Sequence, residues 1–266
     1  MIFETDKYNI LKKKIDSMNE KRIFKEKLSI DETQLNIVTD IGNNNLKQYI
    51  IKNRNDLKKY ISTHPNFLKS LKPVPQGKNS PRIAKLMIEA SKLANVGPMA
   101  TIAGTIAEIS IDYLIDQGSS YSIIDNGGDI SFINKVDKKK VICGIYAGKS
   151  PLSGKIAFKF KNFDYPIGIC SSSGSVGFSL SYGRSDCVTI IAKRSSIADA
   201  LSTAIANNVN GITDDDAVEK GLLAADKFKE EFIGGLIIVG EAIGTIGKLP
   251  KIIENPSFKK NYLDPS

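Results

Sequence analysis

Asp199 and Thr203 stand four residues apart in the stretch Ser195-Ser196-Ile197-Ala198-Asp199-Ala200-Leu201-Ser202-Thr203-Ala204-Ile205-Ala206-Asn207-Asn208. On a helix that spacing places a carboxylate and a hydroxyl one turn apart on one face. Two oxygens converging there suit a hard cation such as magnesium or calcium. The same letters support a plainer reading, since Ser196 and Asp199 have the spacing of a capping box at an ordinary helix start. Small residues dominate the stretch, so another backbone can approach it closely. It follows the apolar run Val188-Thr189-Ile190-Ile191-Ala192 and reads as a helix reached from a strand.

Two other segments carry groups capable of binding. Asn126-Gly127-Gly128-Asp129 lies between two strand-like runs. Asn-Gly there is by itself a type I′ hairpin signal, a structural reading. Ser171-Ser172-Ser173-Gly174-Ser175-Val176-Gly177 holds more small polar residues than a bare reversal needs. Its amides and hydroxyls would cradle a phosphate or pyrophosphate, against the alternative of a flexible loop. No G-x-x-x-x-G-K-[ST] stretch exists. Gly240, Gly244 and Gly247 are not spaced as G-x-G-x-x-G, and Pro250 leaves no room for the helix which that pattern opens.

Composition narrows the chemistry further. With 266 residues, 41% hydrophobic and 25% charged, the chain can bury a substantial core. No run reaches the roughly eighteen apolar residues of a membrane helix, and Met1 to Asp6 lacks the layout of a secretory signal. The expectation is a cytoplasmic protein with no membrane partner. The formal charge of +8 comes from scattered lysines. The short runs Lys12-Lys13-Lys14 and Lys138-Lys139-Lys140 lack interleaved aromatics, so no nucleic-acid partner is expected. Such a surface attracts anionic cofactors. Cys143, Cys170 and Cys187 are odd in number and set in apolar runs, which predicts buried reduced thiols. The single histidine, His64 beside Pro65, excludes multi-histidine metal sites.

The elements that must position these groups can be read in order. Residues 1–19 read as a peripheral segment. Arg22 to Ile30 and Thr33 to Thr39 form a hairpin turned at Asp31-Glu32. Leu46, Tyr49, Ile50, Leu57, Tyr60 and Ile61 recur at helical spacing up to about His64. A Pro/Gly-rich break over 72–82 follows, either a linker or a surface loop. Ile83 to Ala94 is a second amphipathic helix, stopped by Gly97. Pro98 starts another, crowded with small residues, whose first charge, Glu108, marks the side where it surfaces. From Tyr121 the pattern is of strands (121–125, 130–133, 141–147, 155–160, 165–170, 186–192). After the Asp199 helix come a helix from about Asp214 to Phe228 and a hairpin turned at Gly240. Strands joined by short turns, with helices grouped in sequence, predict an α+β fold with antiparallel sheets.

Taken together, Asn126-Gly127-Gly128-Asp129, the Ser/Gly segment, a strand, and Ala198-Asp199-Ala200-Leu201-Ser202-Thr203-Ala204 resemble the ApbE-like flavin transferases in order and spacing. The match spans roughly residues 97 to 208. It implies an ApbE-like, T-fold-related architecture: a single domain over 1–266, whose N-terminal hairpin and helix (about 20–71) join through the 72–82 loop to a motif-bearing core (83–248). It implies a magnesium site at Asp199 and Thr203. It also implies a site for a flavin nucleotide, FAD or FMN, at Asn126, Gly127, Gly128 and Asp129, with Ser172, Ser173 and Gly174 alongside. Asp129 and Asp186 are the candidate catalytic, orienting groups.

The chain departs from typical members at two places. Their D-x-G-G-x-A-K-G segment corresponds here to Asn95-Val96-Gly97-Pro98-Met99-Ala100-Thr101-Ile102-Ala103-Gly104, without the lysine. Phe178 to Asp186 stands where they carry a histidine. In these features it looks like the ApbE-related branch of methanogenic archaea and anaerobic bacteria, connected with sulfide assimilation into homocysteine. Three functions follow as expectations. The first is binding of a flavin nucleotide and a divalent cation, with FMN moving from FAD to a protein acceptor. The second is a non-transferase auxiliary protein working with a sulfur-assimilation partner. The third is a structural scaffold without a metal site. The oligomeric state stays open, a homo-oligomer included.

Overall fold

Side chains alternate between the two faces of the central strands, and because both faces are covered that alternation builds two layers of core. In β7 (Phe163–Ser172), β8 (Cys187–Ala192) and β9 (Gly234–Val239), side chains point to opposite faces in turn. Cys170, Val188, Ile190 and Ile237 join a cluster with helical residues such as Ala198, Leu201 and Ile205. Their neighbours Ile169, Ile191 and Ile238 join Phe158 and Phe160 on the other side. The computed structural model describes residues 22–137, 139–173 and 183–257. The readings made for residues 1–19, Lys12-Lys13-Lys14, Lys138 and Gly174 to Tyr182 fall outside those described residues.

The remaining elements are β1 (Phe24–Ile30), β2 (Thr33–Thr39), α1 (Leu46–Thr63), the short α2 (Asn66–Lys69) and α3 (Arg82–Ala94). A 3₁₀ turn (Pro98–Thr101) leads into α4 (Ile102–Asp116). Then come β3 (Tyr121–Asn126), β4 (Asp129–Asn134), β5 (Val141–Gly144), β6 (Ile156–Phe160), α5 (Ser195–Ala206), α6 (Asp214–Asp226), β10 (Ala242–Gly247) and β11 (Lys251–Glu254). An eight-stranded sheet runs β1-β2-β3-β4-β7-β8-β9-β10, and a three-stranded sheet runs β11-β6-β5. Every pairing is antiparallel. Helices α1, α3 and α4 bury Leu46, Ile50, Ile83, Met87, Ile106 and Ile109 with Ile37, Ile124 and Ile133 of the large sheet. The fold is α+β, as the sequence predicts.

Three local details differ from the sequence reading. Helix α3 ends at Asn95, which takes the left-handed conformation (φ 55°), and not at Gly97. Asn tolerates that region because its short polar side chain bonds locally. Gly97 serves packing instead, since a Cβ there would sit 2.0 Å from the Ser70 carbonyl oxygen. Glu108 does not mark a surfacing face; it is buried. The turn between β3 and β4 centres on Gly127-Gly128, with Asn126 and Asp129 paired across it. Both glycines have positive φ, 68° and 102°, as a type I′ turn requires.

No helix among the described residues is long and apolar enough to cross a membrane. The three cysteines are free and buried. Burial pushes the Cys143 thiol up to about 12 and holds those of Cys170 and Cys187 above the ordinary thiol range.

Candidate functional site

Strand register decides which motifs meet. Ile130 pairs with Ile169, Ser172 with Val188, and Cys187 with Ile238. The Gly127-Gly128 turn, Ser173, Asp186 and the Gly240 turn therefore lie at one end of the large sheet. Helix α4 starts at that same end, because Asn126 Nδ2 donates to the Ala103 carbonyl at 3.0 Å. Helix α5 follows the opposite end of β8 and runs back across β7 and β8. Its Ser195 backbone lies so close to Gly168 that a Cβ there would sit 2.4 Å from Ser195 Cα.

At Gly104 the two helices meet with no room for a side chain on α4. A Cβ on Gly104 would sit 2.3 Å from the Ser195 carbonyl oxygen and 2.6 Å from Asp199 Cβ. In this contact each helix start takes a carboxylate from the other helix. Asp199 Oδ2 accepts the Gly104 amide at 2.8 Å. Glu108 Oε2 accepts the Ser196 amide at 2.9 Å and its hydroxyl at 2.5 Å. These bonds satisfy amides that helix starts leave unpaired, and they place negative charge where the helix dipole favours it. The capping box suggested by Ser196 and Asp199 does not form. Residue Arg194 precedes α5 with no side-chain cap, and Ser196 is engaged by Glu108.

Beneath α5, Asp199 lies near enough to Asp129, at the start of β4, for the two charges to interact. Asp199 is buried, Asp129 is partly buried with its Oδ1 enclosed, and no ion pair to either is found among the described residues. Burial first, then the negative charge of Asp129, hold Asp199 well above the usual carboxylate range, against the Gly104 amide. Burial pushes Asp129 up to about 7, opposed by hydrogen bonds from the Cys170 thiol and the Ser171 amide. Asp129 Oδ1 is buried without a hydrogen-bond partner. The Cys170 thiol also lies 3.3 Å from the Ser195 carbonyl, so its one proton has two acceptors in reach. Thr203 follows Asp199 by one turn and is 7% exposed.

The other candidates divide. Asn126 is buried and tied to α4, while Gly127 and Gly128 are exposed, with nothing within 4 Å of where a Cβ would stand. Ser172 is buried and its hydroxyl lacks a partner. Ser173 reaches the Ser185 carbonyl at 3.5 Å. Gly174 lies outside the described residues. Asp186 is at the same sheet end, but its carboxylate accepts the Gly240 amide at 2.7 Å and so holds the β9–β10 turn. The structure does not bring it to the Asp129–Asp199 pair. Glu108 and Cys170 were missed as site residues. Each sits in an apolar run, and its partners are far away in sequence.

The donor set fits a hard cation. Two acids in and beside the core, with no basic partner among the described residues and one with an enclosed, unpartnered oxygen there, would lower their mutual repulsion by sharing a divalent ion. No group of three His, Cys, Asp or Glu poised for a metal occurs among the described residues. Remaining ligands would be hydroxyl, carbonyl, water or phosphate oxygens, as magnesium prefers.

The sequence family described as AbpE bacteria matches residues 16–232. A UPF0280 protein of Methanothermobacter thermautotrophicus is 45% identical over 228 residues, covering 86% of this chain and 87% of the relative. One from Methanobrevibacter smithii is 44% identical over 232 residues, 87% of this chain and 96% of the relative. Among solved structures, the flavin transferase ApbE from Vibrio cholerae aligns with a TM-score of 0.56 at 15% identity, over 90% of this chain and 99% of that one. The flavinyl transferase ApbE of Pseudomonas stutzeri, in its apo form, aligns at 0.53 and 13% identity over 90% and 96%. At such identities the likeness speaks for the fold, while the family match and the archaeal relatives place the sequence. The chain belongs to the AbpE bacteria family, in an ApbE-like archaeal branch.

Proposed function

We propose that this protein binds a flavin nucleotide and a divalent cation at the sheet end formed by Asn126 to Asp129, Ser172-Ser173 and the Asp199 helix. The reaction would be transfer of FMN from FAD to a protein hydroxyl. The observation that carries the reading is the Asp129–Asp199 pair: a buried carboxylate beside a partly buried one whose enclosed Oδ1 has no partner, with neither paired with a base among the described residues. Asp199 and Thr203 would hold the cation with Asp129 beside them. A bound magnesium ion would supply charge neutralisation at a pyrophosphate.

The chain's own residues would set the stage. The open space above Gly127 and Gly128 admits a flat ligand close to backbone, and Asn126 fixes that turn against α4. Ser172 and Ser173 offer hydroxyls on the neighbouring strand end. Asp186 would orient the site through the Gly240 turn and not by direct contact with the pair. We propose further that the hairpin β1–β2 works with the core as one domain, because it extends the same sheet.

A second reading is favoured by one feature. Gly97 to Gly104, entering α4, holds no lysine. A protein using this scaffold without transfer, serving a partner in anaerobic sulfide assimilation, fits that feature. Titrating FAD and magnesium chloride against the protein, then supplying a hydroxyl-bearing acceptor protein, separates the two. Cation-dependent FAD binding with labelling of the acceptor supports transfer. Binding without labelling supports the auxiliary role, and no binding of either removes the flavin reading.

A further inference from the structure

Glu108 sits in the middle of α4, 6% exposed, with both carboxylate oxygens turned to the start of α5. Oε2 takes the Ser196 amide and hydroxyl, and Oε1 takes Arg194 Nε at 2.8 Å. Arg194 also reaches Glu89 of α3 at 3.3 Å, so three helices are tied at this point. One turn earlier in α4, Gly104 donates to Asp199, which lies about one turn after Ser196 in α5. A single turn of each helix is thus pinned to the other at both ends. At the second pin, Gly104 leaves no space for a side chain.

We infer that Glu108 is a positioning residue for the Asp199 site, holding the first turn of α5 at the depth and rotation that keep Asp199 on the Gly104 amide and beside the proposed cation position. The inference rests on the cation reading above. Glu108 lies too deep between helices to touch a ligand itself, and its action passes through Ser196 and the helix backbone. A glutamine there keeps the volume but brings an N–H₂ group against Arg194 Nε–H or the Ser196 donors.

The test compares wild type and Glu108→Gln by magnesium chloride titration in the presence of FAD, together with amide hydrogen exchange of Gly104 by NMR. The expected result is about tenfold weaker magnesium affinity, the scale of one charge-assisted hydrogen bond, with faster exchange at Gly104. Unchanged affinity with a lowered melting temperature overturns the inference, since Glu108 then only stabilises the fold. Weaker affinity with unaltered Gly104 exchange also overturns it, because the effect then bypasses Asp199. Failure of the wild type to bind magnesium overturns the cation reading and this inference with it. If Glu108→Gln does not fold, Ser196→Ala, which removes one of the three bonds, is judged by the same two readouts.

Discussion

Asp199 Oδ2 lies 2.8 Å from the amide nitrogen of Gly104, so an acid on α5 caps the first turn of α4. The bond gives Asp199 a structural reason to exist without any metal. It does not account for the acid's other neighbour, because Asp129 lies near it under the same helix and raises its proton affinity. A cap alone needs only an acceptor oxygen, which an uncharged amide also supplies. A carboxylate placed near a second carboxylate is what the proposed cation would account for.

Substitution separates those two roles. Asp199→Asn keeps an oxygen for the Gly104 amide and removes the repulsion with Asp129. In EDTA its melting temperature is expected to equal or exceed that of wild type, while magnesium binding is lost. Asp199→Ala removes the cap as well and should lower stability by about 1 kcal/mol. Thermal denaturation and a magnesium titration on both variants decide the matter. Wild-type magnesium affinity in Asp199→Asn would leave Asp199 with the cap alone.

The acid pair also fixes the sign of a pH effect. A carboxyl whose folded value is raised binds more protons in the folded state than in the unfolded chain over the interval between the two values. Stability therefore falls as pH rises through that interval. For Asp129 the interval runs from the ordinary carboxyl value of 3.8 to about 7. Metal-free protein should be more stable near pH 5 than near pH 8, by on the order of 2 kcal/mol after allowing for coupling between the acids. Asp129→Asn should flatten the difference, and magnesium should restore stability at pH 8 in wild type. Melting curves at the two pH values, with EDTA or with magnesium, check this; a stability that rises equally in both proteins refutes it.

Gly104→Ala tests the helix contact. Alanine improves helix propensity by about 1 kcal/mol, which would stabilise an unobstructed site. Here the added methyl meets the Ser195 carbonyl and Asp199 Cβ. Overpacking against backbone should win, for a net loss of about 1–3 kcal/mol, with displacement of Asp199 and weaker magnesium binding. Urea denaturation gives the sign directly, and a stabilised variant would mean that the helices part easily.

Much of the fold was legible because its signals are local. The hairpin at Asp31-Glu32, the period of α1, the strand succession after Tyr121 and the turn at Gly240 each follow from residues within a few positions. What was not legible depends on pairs distant in sequence. Glu108 and Ser196 are 88 residues apart, so nothing near either shows that one caps the other. A lone acid in an apolar helix looks, from sequence, like a helix surfacing. Asn95 was missed for a different reason: Gly97 is the commoner stop signal, but it was needed where the Ser70 backbone passes. The Asp199–Thr203 spacing and the Asn126–Asp129 turn were visible, whereas their meeting under α5 depends on the register of four strands.

Gly127 and Gly128 offer the sharpest contrast within the proposed flavin site, because conformation and not crowding decides which residue each position accepts. At φ 68° Gly127 is in the left-handed region that Asn enters readily, while φ 102° at Gly128 lies beyond it. Gly127→Asn should therefore keep wild-type stability, and Gly128→Ala should lose about 1–2 kcal/mol. Since a Cβ at either position meets nothing within 4 Å, any loss of FAD affinity in the stable Gly127→Asn variant comes from the ligand's own approach to the turn. FAD titration of that variant by fluorescence is expected to show weakened binding with an unchanged melting temperature. Full affinity would place the flavin away from this turn.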